Sequence, residues 1–397
     1  MSTASTAATV LGLASALTFI ALTPIGCKDD LNLDGDAGGA DAGHDAKFDA
    51  GLPLLPFEAA NLPPKFYFNS APDIVIAGDC VIDTDMGTST CWDESVTYQT
   101  RAPYSAEAGV VSLPELAIFS MGSLTISQDA QVKVQGARAL VLVTLNKMTI
   151  SGTIDVSATD TAAGPGGFSG EKNGNSAGRG FGPGGAPDPA AHQGAGGGSL
   201  CGAGGNKTGG KSAYQATTIP PLVGGSSGGS GFASGGGGGG AIELVCGNIL
   251  TLNKQSLVRA NGGGAAFGGG GGGSGGMILI DAQAMNEFGP LIANGGGGGA
   301  NTGAGDPTVS QGAPGSDNTT PAAGGKGENA GGAGTGGAMS NGGDGVYDKP
   351  MPAPTLGDYS GGGGGGAGLI HVRFRGGSPM PGPASPNASP CYVRGVP

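Results

Sequence analysis

Charged and aromatic side chains are scarce in this chain. Only 12% of its 397 residues are Asp, Glu, Lys or Arg, 5% are aromatic, there is one Trp, and there are three His. So little charge is too few for a strongly solvated disordered polymer, and so few aromatics are unusual for an enzyme of this length. His44, His192 and His371 lie far apart, without the His-Glu-x-x-His spacing of a zinc hydrolase. No Gly-x-Ser-x-Gly elbow and no phosphate loop ending in Gly-Lys-Ser/Thr occurs, so catalytic residues are predicted as none. With 18 Lys and Arg against 30 Asp and Glu the net charge is −12, which argues against nucleic acid as a partner. No apolar run reaches the length of a membrane span.

What replaces these residues is glycine. The chain holds 88 Gly and 27 Pro, a share usually read as low complexity. The glycine is uneven, 12 in residues 1–150 and the other 76 in residues 151–397. Runs such as Gly235 to Gly240 break the strict third-residue period that collagen needs.

The first residues carry an address. Val10 to Leu22 form an apolar stretch of signal-peptide length, followed by Thr23-Pro24-Ile25-Gly26-Cys27. Gly26-Cys27 resembles the end of a bacterial lipobox, although Pro24 stands where that motif prefers Leu and no Lys or Arg precedes the apolar core. Residues 1–26 are therefore predicted to be a lipoprotein-type signal peptide, Cys27 the lipidated first mature residue, and the membrane a partner through that anchor. An ordinary secretory signal is the alternative. Residues 27–52, with seven Asp, have almost nothing to bury and predict a disordered acidic tether.

Residues 116–158 contain an internal repeat. Leu116-x-Ile118, Leu124-x-Ile126 and Val132-x-Val134 are alternating pairs eight residues apart, and a shift of 24 returns Leu140, Leu142, Met148 and Ile150, with Ile154 and Val156 close behind. Similar modules follow at Ala241 to Gly262, Met277 to Gly295 and Gly368 to Gly376. Three short alternating strands per repeat predict an all-β fold, a right-handed parallel β-helix spanning 116–376. Residues 53–115 would form an N-terminal cap and first strands, and 377–397 a C-terminal tail. Two middle modules end in Ala-Asn-Gly-Gly-Gly, which makes Asn261 and Asn294 candidate structural turns at equivalent corners.

Glycine runs precede Ala241, Met277 and Ala367. Placed repeatedly at one edge of a strand, they predict close backbone approach, in packed strands or polyglycine-II-like helices, with floppy loops as the alternative. The long Gly-rich insertions at 159–234 and 298–360 lack any period of their own and are the segments most expected to move.

Five cysteines remain after Cys27. Cys80 and Cys91 are the best local disulfide pair, Cys201 and Cys391 a second candidate pair, and Cys246 alternates in phase with Ile242 and Leu244 as a buried thiol. Asp155, Glu243 and Asp281 are the acids on predicted strands. They fall at different offsets and are read as solvent-facing rather than as a catalytic ladder. Tyr214, Tyr347 and Tyr359, in the insertions, are candidates for stacking on sugars. Gly342-Gly343-Asp344-Gly345-Val346-Tyr347 is one imperfect copy of a calcium-binding nonapeptide, with Tyr where Asp is needed, so metal ligands and cofactors are predicted as none, with bound calcium as the alternative.

The lipobox-like leader, the Asp-rich tether, the LVLVTLNKMTISGTIDVSA module, GGGGGGAIELV and ANGGGG together resemble the glycine-rich surface lipoproteins of myxobacteria, often labelled PE-PGRS-like, over roughly residues 60–376. The helical Pro-Glu domain of mycobacterial PE-PGRS proteins is absent. The resemblance implies an exported bacterial protein at the outer membrane or cell surface, structural or adhesive, with glycans or cell-surface components as partners. Two alternatives stay open: a polysaccharide-active lyase or hydrolase on a β-helix, and a purely structural envelope component.

Overall fold

The computed structural model describes residues 52–93, 95–102, 113–170, 178–189, 194–206, 208–214, 220–301, 310–326, 330–335, 361–377, 382–386 and 391–395. Cys27, the leader and the tether lie outside the described residues.

The described residues hold β-strands and no helix. In chain order the strands are β1 (Asp73–Ile76), β2 (Cys80–Asp83), β3 (Thr88–Ser89), β4 (Thr97–Arg101), β5 (Leu116–Met121), β6 (Ser123–Ile126), β7 (Gln131–Gln135), β8 (Ala139–Thr144), β9 (Met148–Ile150) and β10 (Thr153–Asp155). After a long glycine-rich stretch come β11 (Ala241–Leu252), β12 (Leu257–Arg259), β13 (Met277–Glu287), β14 (Leu291–Ile292), β15 (Leu369–Gly376), β16 (Ala384–Ser385) and β17 (Tyr392–Gly395).

This arrangement corrects the expected right-handed parallel β-helix. The strands form two sheets, one ten-stranded and mostly parallel, the other seven-stranded and mixed. Two of the three strand columns expected from the repeat run into one another. β11 is a single 12-residue strand that pairs with β8 over Ile242–Cys246 and with β9 over Leu250–Leu252. Antiparallel pairs, β4 with β5 and β2 with β3, interrupt the parallel order. Large parallel sheets are otherwise typical of α/β architectures, where helices cover both faces. Here other chain segments provide that cover.

One apolar cluster lies between the two sheets. It joins Phe119, Leu140, Leu142, Ile242, Leu244, Ile278, Ile280, Ile370 and Val372 of the larger sheet to Ile82, Val132, Val134, Ile154, Val258 and Leu291 of the smaller. Trp92 and Tyr98 close one margin, stacked edge-on and tilted against Phe119 at 5.5 and 5.1 Å. The opposite face of the larger sheet carries a second cluster, with Leu116, Ile118, Val141, Val143, Val245, Leu279 and Leu369. Over it lies a strap of residues 53–68, which inserts Leu55, Leu62, Phe66 and Phe68. The strap is pinned to itself by Leu55 N–H to Phe66 O and Phe68 N–H to Pro53 O, both 2.9 Å.

Double-sided burial explains a register that differs from the repeat. Leu116 pairs with Ala139 and Ile118 with Val141, a shift of 23 rather than 24. A one-residue slip turns every side chain to the other face. On β5 all six residues are buried, so neither register exposes an apolar side chain.

The glycine segments pack beside the sheets through their backbones. Residues 268–276 show the rule. The N–H groups of Gly271 and Ser274 donate to Gly229 and Ser226, those of Gly272 and Gly275 to Gly363 and Gly366, and those of Gly273 and Gly276 to Gly263 and Ala260. The carbonyls alternate likewise: Gly269 and Gly272 accept from Ala195 and Gly198, Gly270 and Gly273 from Gly299 and Gly296, and Gly271 and Ser274 from Gly236 and Gly239. Donors point to three neighbouring segments and acceptors to three others, each direction recurring every third residue. That is the period of a threefold backbone helix with no internal hydrogen bonds. The described parts of 159–234 and 298–360 belong to the same bundle, as Gly198, Gly229 and Gly299 show.

Candidate functional site

The acids on β11 and β13 are not solvent-facing, contrary to the alternation argument. Glu243 and Asp281 both have 0% relative exposure. Glu243 pairs with Leu279, and Asp281 stands two residues further along β13, opposite Val245, so the two carboxyls share the strap-covered face at diagonal positions. β15 adds His371 opposite Leu279 and Arg373 opposite Asp281.

Asp281 is the centre of an ion-pair cluster. Arg375 Nη1 donates to its Oδ1 at 2.6 Å, and Arg373 Nη1 lies 3.3 Å from Oδ2. The Arg375 guanidinium in turn lies 3.7 Å over the Phe57 ring and reaches Glu58 O at 3.3 Å, which ties the strap to the cluster. Burial raises the Asp281 carboxyl above its ordinary range, against the opposing pull of both arginines.

Glu243 has no such support. Neither carboxyl oxygen has a hydrogen bond of good geometry, and the nearby Asn61 of the strap, whose Nδ2 is likewise unpartnered, favours the charged form too weakly to offset burial. The Asn61 Oδ1 instead accepts from Leu222 N–H at 3.1 Å. Burial first, and the neighbouring Asp281 charge second, push the Glu243 carboxyl up to about 8. A charged group removed from water without a partner neutralises rather than ionises. His371 is held below its ordinary value by burial and then by Arg373, and its Nδ1 has no partner. Two buried acids side by side, one of them paired with two arginines, are electrically suited to sharing a proton. The strap, however, lies between this pair and solvent.

Asp155, the third acid, is remote from that pair. It sits on β10 of the smaller sheet and pairs with Arg259 at 2.9 Å, which also binds Asp317. The sequence did carry a signal for the cluster: Glu243 interrupts an otherwise apolar run from Ala241 to Cys246, which marks a strand buried on both faces.

Asn261 and Asn294 stand just past β12 and β14 and form a polar ladder. Asn294 N–H donates to Asn261 Oδ1 at 3.0 Å, and Ser385 Oγ donates to Asn294 Oδ1 at 2.7 Å. Asn261 Nδ2 reaches Asp317 Oδ1, and Asn294 Nδ2 reaches the carbonyls of Ser316 and Asn318, so the ladder clamps the 310–320 segment. Asn294→Ala removes these partners from a residue with 0% exposure. A loss of about 2 kcal/mol in urea unfolding is expected, with faster proteolysis at 310–320. An unchanged midpoint would show the ladder to be ornamental.

Among the described residues there are two disulfides, Cys80–Cys91 and Cys201–Cys391, and Cys246 is a buried free thiol donating to Asn146 O at 3.2 Å. Tyr214 is partly buried and packs against the strap-side cluster, with its N–H on Leu200 O. Tyr347 and Tyr359 lie outside the described residues, as does the calcium-like 342–347 segment. Among the described residues no group of three His, Cys, Asp or Glu could hold a metal ion, and no helix is long and apolar enough to cross a membrane. No family model, curated protein or solved structure matches the chain.

Proposed function

We propose that this chain is an exported, lipid-anchored surface protein with a structural or adhesive role and no catalytic one, of the kind found among glycine-rich myxobacterial surface lipoproteins. The observation that carries the reading is the glycine bundle, in which residues 268–276 are hydrogen-bonded to six neighbouring segments. Such a mass is held by peptide groups rather than by side chains. It supplies stiffness and bulk but few functional groups, which suits a spacer or scaffold. The burial of Glu243 and Asp281 under the strap is consistent with a non-catalytic body. Cys27 would supply the anchor of that body.

Cys27→Ser tests the anchor. The variant is expected to lose palmitate labelling and to leave the membrane fraction for the soluble one. Unchanged labelling and fractionation would refute lipidation. Glycan-array and whole-cell binding by the mature protein then separate the two roles, since blank results in both select the structural one.

A further inference from the structure

The strap and the group it covers point to a conformational device. Residues 53–68 are attached to the larger sheet by an apolar contact through Leu55, Leu62, Phe66 and Phe68 and by Phe57 and Glu58 on Arg375 of β15, while Asn61 Oδ1 accepts from Leu222 N–H. Beneath the strap lies Glu243, wholly buried, with both oxygens unpartnered. We propose that the strap is a proton-governed latch, closed over the ten-stranded sheet while Glu243 is neutral and opened when Glu243 ionises.

Every neighbouring element bears on this. On one side of Glu243, β8 presents Val141, and on the other β13 presents Leu279, so neither flank can solvate a charge. β13 also brings the Asp281 carboxylate, which repels a second negative charge, and β15 brings Arg373, which attracts it. Arg373 and Arg375 are already committed to Asp281. His371, also on β15, is buried and disfavoured in its charged form. From the strap come Asn61 and the backbone carbonyl of Glu58, and from the segment above it the Leu222 N–H, which is spent on Asn61. Within the closed strap an ionised Glu243 has only Asn61 to turn to, whose Nδ2 is itself without a partner, and its fuller solvation needs water, which reaches it when the strap lifts.

The sign follows from linkage. In the closed state the carboxyl titrates near 8, in the open state near the ordinary 4.5, so the closed form binds the extra proton between these values. Closure is thus strongest at low pH and weakens as pH rises toward 8, by about tenfold in the opening equilibrium per pH unit, then levels off. His371 acts in the opposite sense below its ordinary value of 6.5, because opening lets it charge. The clean window is pH 6.5 to 8.

Hydrogen exchange of the full chain reads the latch at the amides of Leu222, whose N–H is held by Asn61 Oδ1 of the strap, and of its buried neighbour Val223. After correction for intrinsic base catalysis, their opening is expected to rise roughly 15-fold between pH 6.5 and 8, while the Gly272 and Gly365 amides of the bundle stay protected. Glu243→Gln, neutral at every pH, should flatten the strap response. Leu222 protection that is constant over this window in the wild type overturns the latch, and that measurement stands even if the variant fails to fold. A parallel rise in Glu243→Gln, or equal loss at Gly272 and Gly365, overturns it as well.

Discussion

Gly365→Ala is expected to unfold the glycine bundle or to destabilise the protein by about 4 kcal/mol. A Cβ at Gly365 would sit far inside van der Waals contact of the Gly273 carbonyl oxygen, with Gly273 C and Ser274 N close behind. No flexible side chain is available to yield, because the obstruction is backbone. Moving that backbone would also disturb Gly365 N–H to Gly296 O and Gly296 N–H to Gly273 O, at 2.8 and 2.9 Å. Steric overpacking contributes roughly 1–3 kcal/mol, and each buried peptide group left unpaired a further 1–3. Gly78→Ala is the control. Nothing lies within 4 Å of its added Cβ, so the change should stay within about 0.5 kcal/mol. Urea unfolding of both variants decides the matter. Equal midpoints would show that the bundle does not depend on closeness of its backbones.

Removing the Cys201–Cys391 disulfide is the second large effect. The bridge closes a separation of 190 residues, and the chain-entropy estimate for such a loop is about 5 kcal/mol. Cys80–Cys91, with a separation of 11, is worth about 3 on the same basis. The longer bridge also fixes β17, where Ile370 N–H donates to Cys391 O, and it joins that strand to the segment bearing Gly197 and Gly198. Both sulfurs are buried, Cys391 at 0% and Cys201 at 3% exposure. The double variant Cys201→Ala/Cys391→Ala should therefore unfold at clearly lower urea than Cys80→Ala/Cys91→Ala. The reverse order would mean that the long loop is already restrained in the unfolded chain. Because burial shields the sulfurs, a reductant added to folded protein should act on this pair slowly, at the rate of opening.

The smaller sheet was the more legible part. Val132, Val134 and Ile154 face the shared core while Gln131, Lys133 and Gln135 are exposed, so alternation alone assigns their face. The larger sheet defeats that reading. β5 and β8 are buried on both sides, period two carries no penalty for a slip, and the merging of two strand columns into β11 leaves no mark beyond a short polar interval at Gly247-Asn248. For the same reason Glu243 and Asp281 looked like outward acids, when the outward face is itself a core. Edges of glycine runs were visible, but their partners were not. A glycine has no side chain whose pattern could tell which of six neighbours it meets, and the three-residue rhythm of the hydrogen bonds is carried wholly by the backbone.

That rhythm has a consequence for how the gene can change. A single-base substitution in the first or second position of a glycine codon puts a side chain, and with it a Cβ, where the bundle has room for hydrogen. At Gly272, Gly273, Gly275 and Gly276 the nearest atom to such a carbon is in each case a carbonyl oxygen of another segment. Substitutions that would be silent drift on an ordinary surface loop are here lesions in the interior. Lengthening or shortening a run by three residues would keep each peptide group pointed at the same neighbour, whereas a change by one would redirect all of them. Variation in such a bundle is therefore expected to accumulate as insertions and deletions of whole threefold turns, rather than as point substitutions.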